Sequence, residues 1–194
     1  MSQQTFTITV DVAELLTEFI PTMARQFIAL RGPDEALKGT NLTLTVDVSG
    51  SRYSYTIKDG QEFDVKQGDI DNPMVLLAIP LETMSLLADM KNIDMLMGFQ
   101  GQISGGQASR QKLNSLASLK GTAVYKLRRP DGKEAVITAT FNGAKTPACT
   151  LKLAIEDART LTARKDTPIQ MFMSGKLQIE GEMSFALAMQ PLFS

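Results

Sequence analysis

The chain has 194 residues, of which 43% are hydrophobic, and its formal net charge at pH 7 is −1. These values exclude a disordered chain and are sufficient for one large domain or two small ones, each with its own core. The near-neutral balance, the absence of tryptophan and an aromatic content of 6% argue against nucleic-acid binding.

The side chains on which most enzymes depend are scarce. The chain contains no histidine, which is the commonest general base and zinc ligand, and its single cysteine, Cys149, allows neither an internal disulfide nor a thiolate cluster. No glycine-rich phosphate-binding motif is present either. We therefore predict a protein without enzymatic activity, metal or cofactor.

No apolar run approaches the roughly 20 residues needed to cross a bilayer. The first four residues lack the basic and apolar regions of a secretory signal. The sequence therefore predicts a cytoplasmic protein.

Hydrophobic periodicity predicts the elements of the first half of the chain. Apolar residues at helical spacing indicate a helix over residues 11–30, with Pro21 as a kink or break. Alternating apolar residues then predict strands near 42–48, 53–57, 63–65 and 75–77, with a turn at 58–60. A polar segment at 106–116 is typical of a solvated connecting helix.

The second half continues the pattern of strands followed by helix. Strands are predicted at 123–127, 135–141 and 149–153, with turns at 130–132 and 142–143. Residues 168–189 then predict a helix, a strand, a turn and a final helix. Cys149 falls in an alternating strand pattern, where we expect a small buried hydrophobic residue rather than a reactive thiol.

Three short sequences of the first half recur, in the same order, in the second half. Leu-Lys-Gly-Thr occurs at 37–40 and 119–122, a Met-rich triplet at 95–97 and 171–173, and Gln-Ile-x-Gly at 102–105 and 178–181. We interpret this as a tandem of two similar units, 1–118 and 119–194. The second copy is shorter by six residues, which indicates the loss of a strand.

The closing segment is apolar on every side of its predicted helix, and we expect that helix to be buried on both faces. One face would pack on a sheet, and the other, rich in flexible thioethers, would line a space for an apolar guest. The alternative is a fully packed core helix. The candidate ligand-binding residues, of which half must instead face the sheet, are Met171, Phe172, Met173, Leu177, Met183, Phe185, Leu187 and Met189.

The sequence Gly-Lys-Leu-Gln-Ile-Glu-Gly at 175–181, followed by Met183 and Leu187, resembles the end of the sterol carrier protein type 2 domain, a nonspecific lipid-transfer domain. The first half resembles the same family at 53–60, 68–73 and 81–84. The resemblance implies an α+β fold, a five-stranded, mainly antiparallel sheet covered by helices. It also implies an apolar tunnel that binds fatty acyl chains, acyl-CoA or sterols. The chain ends without the tripeptide that directs eukaryotic members to peroxisomes, which favours a bacterial origin.

The resemblance therefore predicts a non-catalytic carrier for an elongated apolar ligand, with the second unit as its site. The alternative is an accessory or scaffold protein that has lost its cavity and binds another protein. Residues 1–118 carry nine Lys and Arg against fourteen Asp and Glu, whereas residues 119–194 carry eleven against seven. This division favours docking of the two units, and it also allows transient contact between an anionic membrane and Arg159, Arg164 and Lys165.

Overall fold

The computed structural model describes residues 11–32, 34–88, 110–163 and 165–192. The helices are α1 (Val12–Glu14), a π-helical turn (Leu15–Phe19), α2 (Ile20–Arg31), α3 (Leu81–Ala88), α4 (Arg110–Ser118), α5 (Ile155–Thr162), α6 (Pro168–Met173) and α7 (Met183–Ala188), with 3₁₀ turns at Glu35–Leu37 and Gln190–Leu192. The strands are β1 (Asn41–Val48), β2 (Ser51–Lys58), β3 (Glu62–Gln67), β4 (Val75–Ile79), β5 (Gly121–Arg128), β6 (Glu134–Phe141), β7 (Ala148–Ala154) and β8 (Gln178–Gly181).

The eight described strands form one sheet in the order β3-β2-β1-β4-β6-β5-β7-β8. Two pairs, β1 with β4 and β5 with β7, are parallel, and the other neighbours are antiparallel. The predicted α+β class with a mainly antiparallel, helix-covered sheet is therefore confirmed. The sheet is wider than the five strands that the resemblance implied, because β4 of the first half pairs with β6 of the second.

The two halves of the sheet share one pairing pattern. Strand β1 pairs with β2 in antiparallel fashion and with β4 in parallel fashion, and β5 makes the same two kinds of pair with β6 and β7. In the described chain between β6 and β7 no strand corresponds to β3. The division at residue 118 stays a prediction, because strands from both sides of it belong to the same sheet.

One face of the sheet is apolar and is covered by the described helices, whereas the other is mainly polar. The apolar side chains of alternate strand positions join side chains from the described helices in a single hydrophobic cluster. We call this the covered face. The opposite face carries mainly threonine and charged residues, among them Thr43, Thr56, Thr122, Thr140 and Thr150.

Pro21 does not break the N-terminal helix, because a π-helical turn precedes it. In that turn the N–H of Ile20 donates to the carbonyl of Leu15, five residues earlier. The same spacing would pair residue 21 with the carbonyl of Leu16, but proline has no N–H to donate. The hydroxyl of Tyr55 on β2 supplies the missing donor, at 2.8 Å from the Leu16 oxygen. This hydrogen bond anchors the N-terminal helix, which combines α-helical and π-helical turns, to β2.

The other predicted elements are confirmed within the described residues, including the turns at 58–60, 130–132 and 142–143 and the sequence of helix, strand and helix at the C-terminus. The connecting helix α4 exposes Arg110, Gln111 and Asn114 and buries Leu116. The repeated sequences at 95–97 and 102–105, and residues 106–109 of the connecting segment, lie outside the described residues.

Candidate functional site

The eight candidate residues of the C-terminal segment divide into two groups of four. Four are almost fully buried and belong to the hydrophobic cluster: Met171, Leu177, Phe185 and Met189. Four expose large apolar side chains: Phe172 at 45%, Met173 at 81%, Met183 at 39% and Leu187 at 54%. The structure thus identifies which half faces the sheet, a division that the sequence left open.

Helix α7 was expected to be buried on both faces, and that expectation is wrong. One stripe, formed by Phe185 and Met189, lies in the core, while Met183 and Leu187 on the other stripe are exposed. The helix is short and lies over the end of the sheet, where it packs against β7 and β8 and inserts Phe185 towards β5 and β6, so it has one covered face.

Close packing against β5 fixes the start of α7. The aromatic ring of Phe185 meets that of Phe141 edge to face, with 6.1 Å between the ring centroids. The same ring also lies against Gly121, where the lack of a Cβ makes room for it. Helix α7 is therefore fixed at its N-terminal end by one aromatic side chain.

A capping box fixes helix α6. The side chain of Thr167 accepts from the N–H of Gln170, and the Gln170 side chain accepts from the N–H of Thr167. The Met171 carbonyl then accepts from the N–H groups of Lys176 and Leu177, which turns the chain towards β8. This geometry buries Met171 and leaves Phe172 and Met173 outside, next to the similarly exposed Ile169.

The three basic residues proposed for membrane contact do not form one exposed group in the described structure. Lys165 is exposed, but Arg159 is half-buried and its Nε is inaccessible to solvent. Arg164 lies outside the described residues. Lys176 is the basic side chain closest in sequence to the exposed methionines, and it pairs with Asp157 at 3.6 Å and Asp166 at 3.8 Å. These carboxylates offset its charge.

Tyr125, which the sequence analysis did not single out, lies on the covered face of β5. Its hydroxyl donates to Sδ of Met189 at 3.9 Å, a long bond to a weak acceptor. Burial raises the pKa of the phenol above its ordinary value. The sequence did contain a signal for it: a polar-tipped aromatic residue at a core-facing strand position, two residues from Ala123.

Cys149 is buried on the same face, as expected for a structural thiol. Burial raises the pKa of the thiol to about 11, so it is protonated and weakly nucleophilic at neutral pH. Within residues 11–32, 34–88, 110–163 and 165–192, no group of three or more acidic or cysteine side chains is arranged to hold a metal ion. None of the helices in those ranges is both long and apolar enough to span a bilayer.

Comparison with known families supports the resemblance noted in the sequence. Residues 101–194 match the model of the SCP-2 sterol transfer family. This segment contains β5 to β8 and helices α4 to α7, and therefore all eight candidate residues. The resemblance to sterol carrier proteins is thereby confirmed for the C-terminal half of the chain. No curated protein sequence matches the chain.

Solved structures similar to this chain include three sterol carrier proteins. Sterol carrier protein 2 from Yarrowia lipolytica, in its apo form, is 24% identical over 51% of this chain and 92% of its own, with a TM-score of 0.35. The sterol carrier protein domain 2 of Helicoverpa armigera is 23% identical over 53% and 84%, with a TM-score of 0.38. Sterol carrier protein 2 like 2 from Aedes aegypti is 10% identical over 91% and 96%, with a TM-score of 0.26.

Proposed function

We propose that this protein is a non-catalytic carrier that binds one elongated apolar molecule, such as a fatty acid, a fatty acyl-CoA or a sterol, beneath α6 and α7. The observation that carries the proposal is the division of the candidate residues within the segment that matches a sterol transfer family. Met171, Leu177, Phe185 and Met189 would line the interior, and Phe172, Met173, Met183 and Leu187 would form the entrance.

The physical basis of binding would be apolar burial. Each methylene removed from water contributes about 0.8 kcal/mol, so a long acyl chain or sterol needs few polar contacts. Methionine is well suited to such a wall because its unbranched side chain adapts to the shape of its neighbours. Two of the four interior residues are methionines, and both are 1% exposed.

Entry of a ligand would require α6 and α7 to move, and their anchoring permits this. Each helix has six residues, and among the described strands β8, which lies between them in sequence, pairs with β7 alone. Short elements with few buried contacts are the ones that open at low free energy. We propose that the exposed methionines and Leu187 give an incoming lipid an apolar surface before the interior opens.

The test is lipid binding by Leu187→Arg, with Leu30→Arg as its matched control. Both leucines are exposed apolar residues on helices, at 54% and 84%, so neither substitution should unfold the chain. Leu187→Arg places a charge at the proposed entrance and should weaken binding of radiolabelled cholesterol and palmitate at least tenfold. Leu30→Arg on α2 should leave binding unchanged. Equal affinities for both variants would contradict the proposed entrance.

A scaffold protein that binds another protein is the second candidate. The full burial of Phe185 and Met189 favours it, because a filled core leaves no preformed space for a lipid. Stability distinguishes the two functions. A carrier should gain about 2.7 kcal/mol of unfolding free energy at a lipid concentration one hundred times its dissociation constant, whereas a packed scaffold should gain none.

A further inference from the structure

The two helices over the proposed interior are held in place in different ways. Helix α7 is fixed by an aromatic side chain, because Phe185 packs against both Phe141 and Gly121. In α6 the buried residue is Met171, and the other five residues of the helix are exposed or partly exposed. Polar contacts at the two ends of α6 therefore contribute a larger share of what holds that helix against the core.

Three charged side chains join both ends of α6 to α5, and we call them the ionic clamp. Lys176, three residues after the end of α6, places its Nζ 3.6 Å from Oδ1 of Asp157 on α5 and 3.8 Å from Oδ2 of Asp166. Asp166 directly precedes Thr167, the N-cap of α6. The hydroxyl of Thr160 on α5 donates to the same Asp166 oxygen at 3.2 Å. One lysine thereby connects the start and the end of α6 with α5, two of whose residues are buried in the hydrophobic cluster.

The exposure of the ionic clamp makes it reversible. Its side chains are partly accessible to solvent, Lys176 at 49%, Asp157 at 23% and Asp166 at 33%. Ion pairs with this degree of exposure each stabilise a structure only slightly, and dissolved salt screens them. Since the apolar anchor of α6 is one flexible methionine, we expect this helix to lift without unfolding of the domain, and to do so more often when the clamp is screened.

We propose that α6 is a lid that the ionic clamp holds shut, and that a ligand enters and leaves beneath α6 while α7 stays in place. This inference rests on the proposed carrier function and narrows the movement that it requires to one helix. When the lid lifts, Met171 and Leu177 become accessible, whereas Phe185 keeps its contacts with the sheet. The ion pairs then set the rate of ligand exchange, and apolar burial sets the affinity.

The first test is oxidation of methionine by hydrogen peroxide in the delipidated protein, followed by peptide mass mapping. Met171 and Met189 are each 1% exposed and report the opening of α6 and α7, whereas Met173, at 81%, is the internal reference. Lys176→Gln should accelerate oxidation of Met171 about fivefold, the factor expected when two partly exposed ion pairs are lost. The rates at Met189 and Met173 should not change.

Further measurements isolate the effect of the charge. Lys126→Gln is the matched control, because it removes an ion pair on β5 of similar length, 3.8 Å to Glu134, and it should leave oxidation of Met171 unchanged. Lys176→Arg keeps the positive charge and should also behave like the wild type. In the wild-type protein, sodium chloride at a concentration that shortens the Debye length to about 3 Å should accelerate oxidation of Met171 but not of Met189.

Two outcomes of the oxidation experiment would overturn the inference. An unchanged rate at Met171 in Lys176→Gln would mean that the ionic clamp does not hold α6. Equal acceleration at Met171 and Met189 would mean that α6 and α7 open together, and that α6 is not a separate lid.

The second test connects the lid to the carrier function and uses radiolabelled cholesterol, an uncharged probe that Lys176 does not attract. Lys176→Gln should raise the association and dissociation rate constants by the same factor, about fivefold, because the clamp is closed both before and after entry. The dissociation constant should stay the same, and unchanged rate constants would contradict entry beneath α6. If cholesterol bound neither protein, the carrier function would fall, whereas the oxidation rates would still decide whether the clamp holds α6.

Discussion

Phe185 on α7 lies so close to Gly121 at the start of β5 that a Cβ added to the glycine would be 2.6 Å from Cε2 of the ring. The same Cβ would be 2.5 Å from the backbone oxygen of Pro147. Gly121 also has a φ of +140°, which other residues rarely adopt. One glycine thus lets the terminal helix approach the sheet within van der Waals contact.

Gly121→Ala should therefore destabilise the protein by about 3 kcal/mol or more, since the clash involves backbone as well as side chain. Gly132→Ala is the control. It also has a positive φ, of +81°, but no heavy atom lies within 4 Å of its added Cβ. This variant should lose only about 1–2 kcal/mol of stability, the cost of placing alanine at a positive φ. Urea denaturation of both variants measures the difference, and equal losses would argue against close packing of α7.

Phe185→Ala should lower the free energy of unfolding by about 3–5 kcal/mol, because it empties a buried site between Gly121 and Phe141. Leu187→Ala, two residues along the same helix, should change it by less than about 0.5 kcal/mol because the leucine is exposed. Chemical denaturation of the two variants tests the assignment of buried and exposed stripes. A larger loss of stability in Leu187→Ala than in Phe185→Ala would mean that Leu187, and not Phe185, packs against the sheet.

The bond between Tyr55 and Leu16 predicts a non-additive pair of substitutions. Tyr55→Phe leaves the buried Leu16 carbonyl without a donor and should cost about 1–3 kcal/mol of stability. In a Pro21→Ala background the cost should be smaller, because alanine restores an N–H that can reach the Leu16 carbonyl. A double-mutant cycle measures this coupling. Strict additivity would mean that Pro21 does not create the need for Tyr55.

The acid stability of the sheet should depend on Asp47. Burial alone would raise the pKa of this carboxyl, but hydrogen bonds from Arg52 Nε at 2.8 Å and the Gly50 N–H at 2.7 Å lower it below its ordinary value. The stabilisation is therefore complete above the unfolded pKa of about 3.9 and is lost as the pH falls through the lower folded pKa. Asp47→Asn should lose less stability than the wild type below pH 4 in thermal melts. If the melting temperatures of the two proteins fell in parallel as the pH was lowered, Asp47 would not contribute to acid stability.

Cys149 offers a local probe of α7. Its thiol is 3% exposed and its pKa is raised to about 11, so a disulfide reagent should modify it at pH 8 only after the covering elements open. Phe185→Ala should accelerate modification at least tenfold, because it removes the anchor of the helix. Bound cholesterol should slow it in the wild-type protein. Modification of the native wild-type protein at the rate of a free thiol would show that Cys149 is not protected.

The strands and the C-terminal helices could be predicted from the sequence because alternation and helical periodicity are local signals. The continuous sheet could not, since the pairing of β4 with β6 joins residues far apart in the chain. The π-helical turn could not be predicted from the sequence either. Pro21 predicts a missing hydrogen bond, but the compensating donor, Tyr55, lies on a strand 34 positions later.

The candidate site was predicted as a set of residues but not as a geometry. All eight residues are apolar, and periodicity alone does not show which stripe of a uniformly apolar helix contacts a sheet. Which stripe of α7 is buried depends on packing between Phe185 and Gly121, which are distant in sequence. Tyr125 was missed because the contact of its hydroxyl with Met189 joins residues 64 positions apart in the chain.

The most direct test of the carrier function is native mass spectrometry of gently purified protein, followed by solvent extraction and identification of what dissociates. A carrier should show one adduct of a few hundred daltons per chain, either as purified or after incubation with cholesterol, and this adduct should be absent in Leu187→Arg. A bare mass that stays bare after incubation with cholesterol, 1-hexadecanol and palmitate would contradict it and would favour a scaffold that binds another protein.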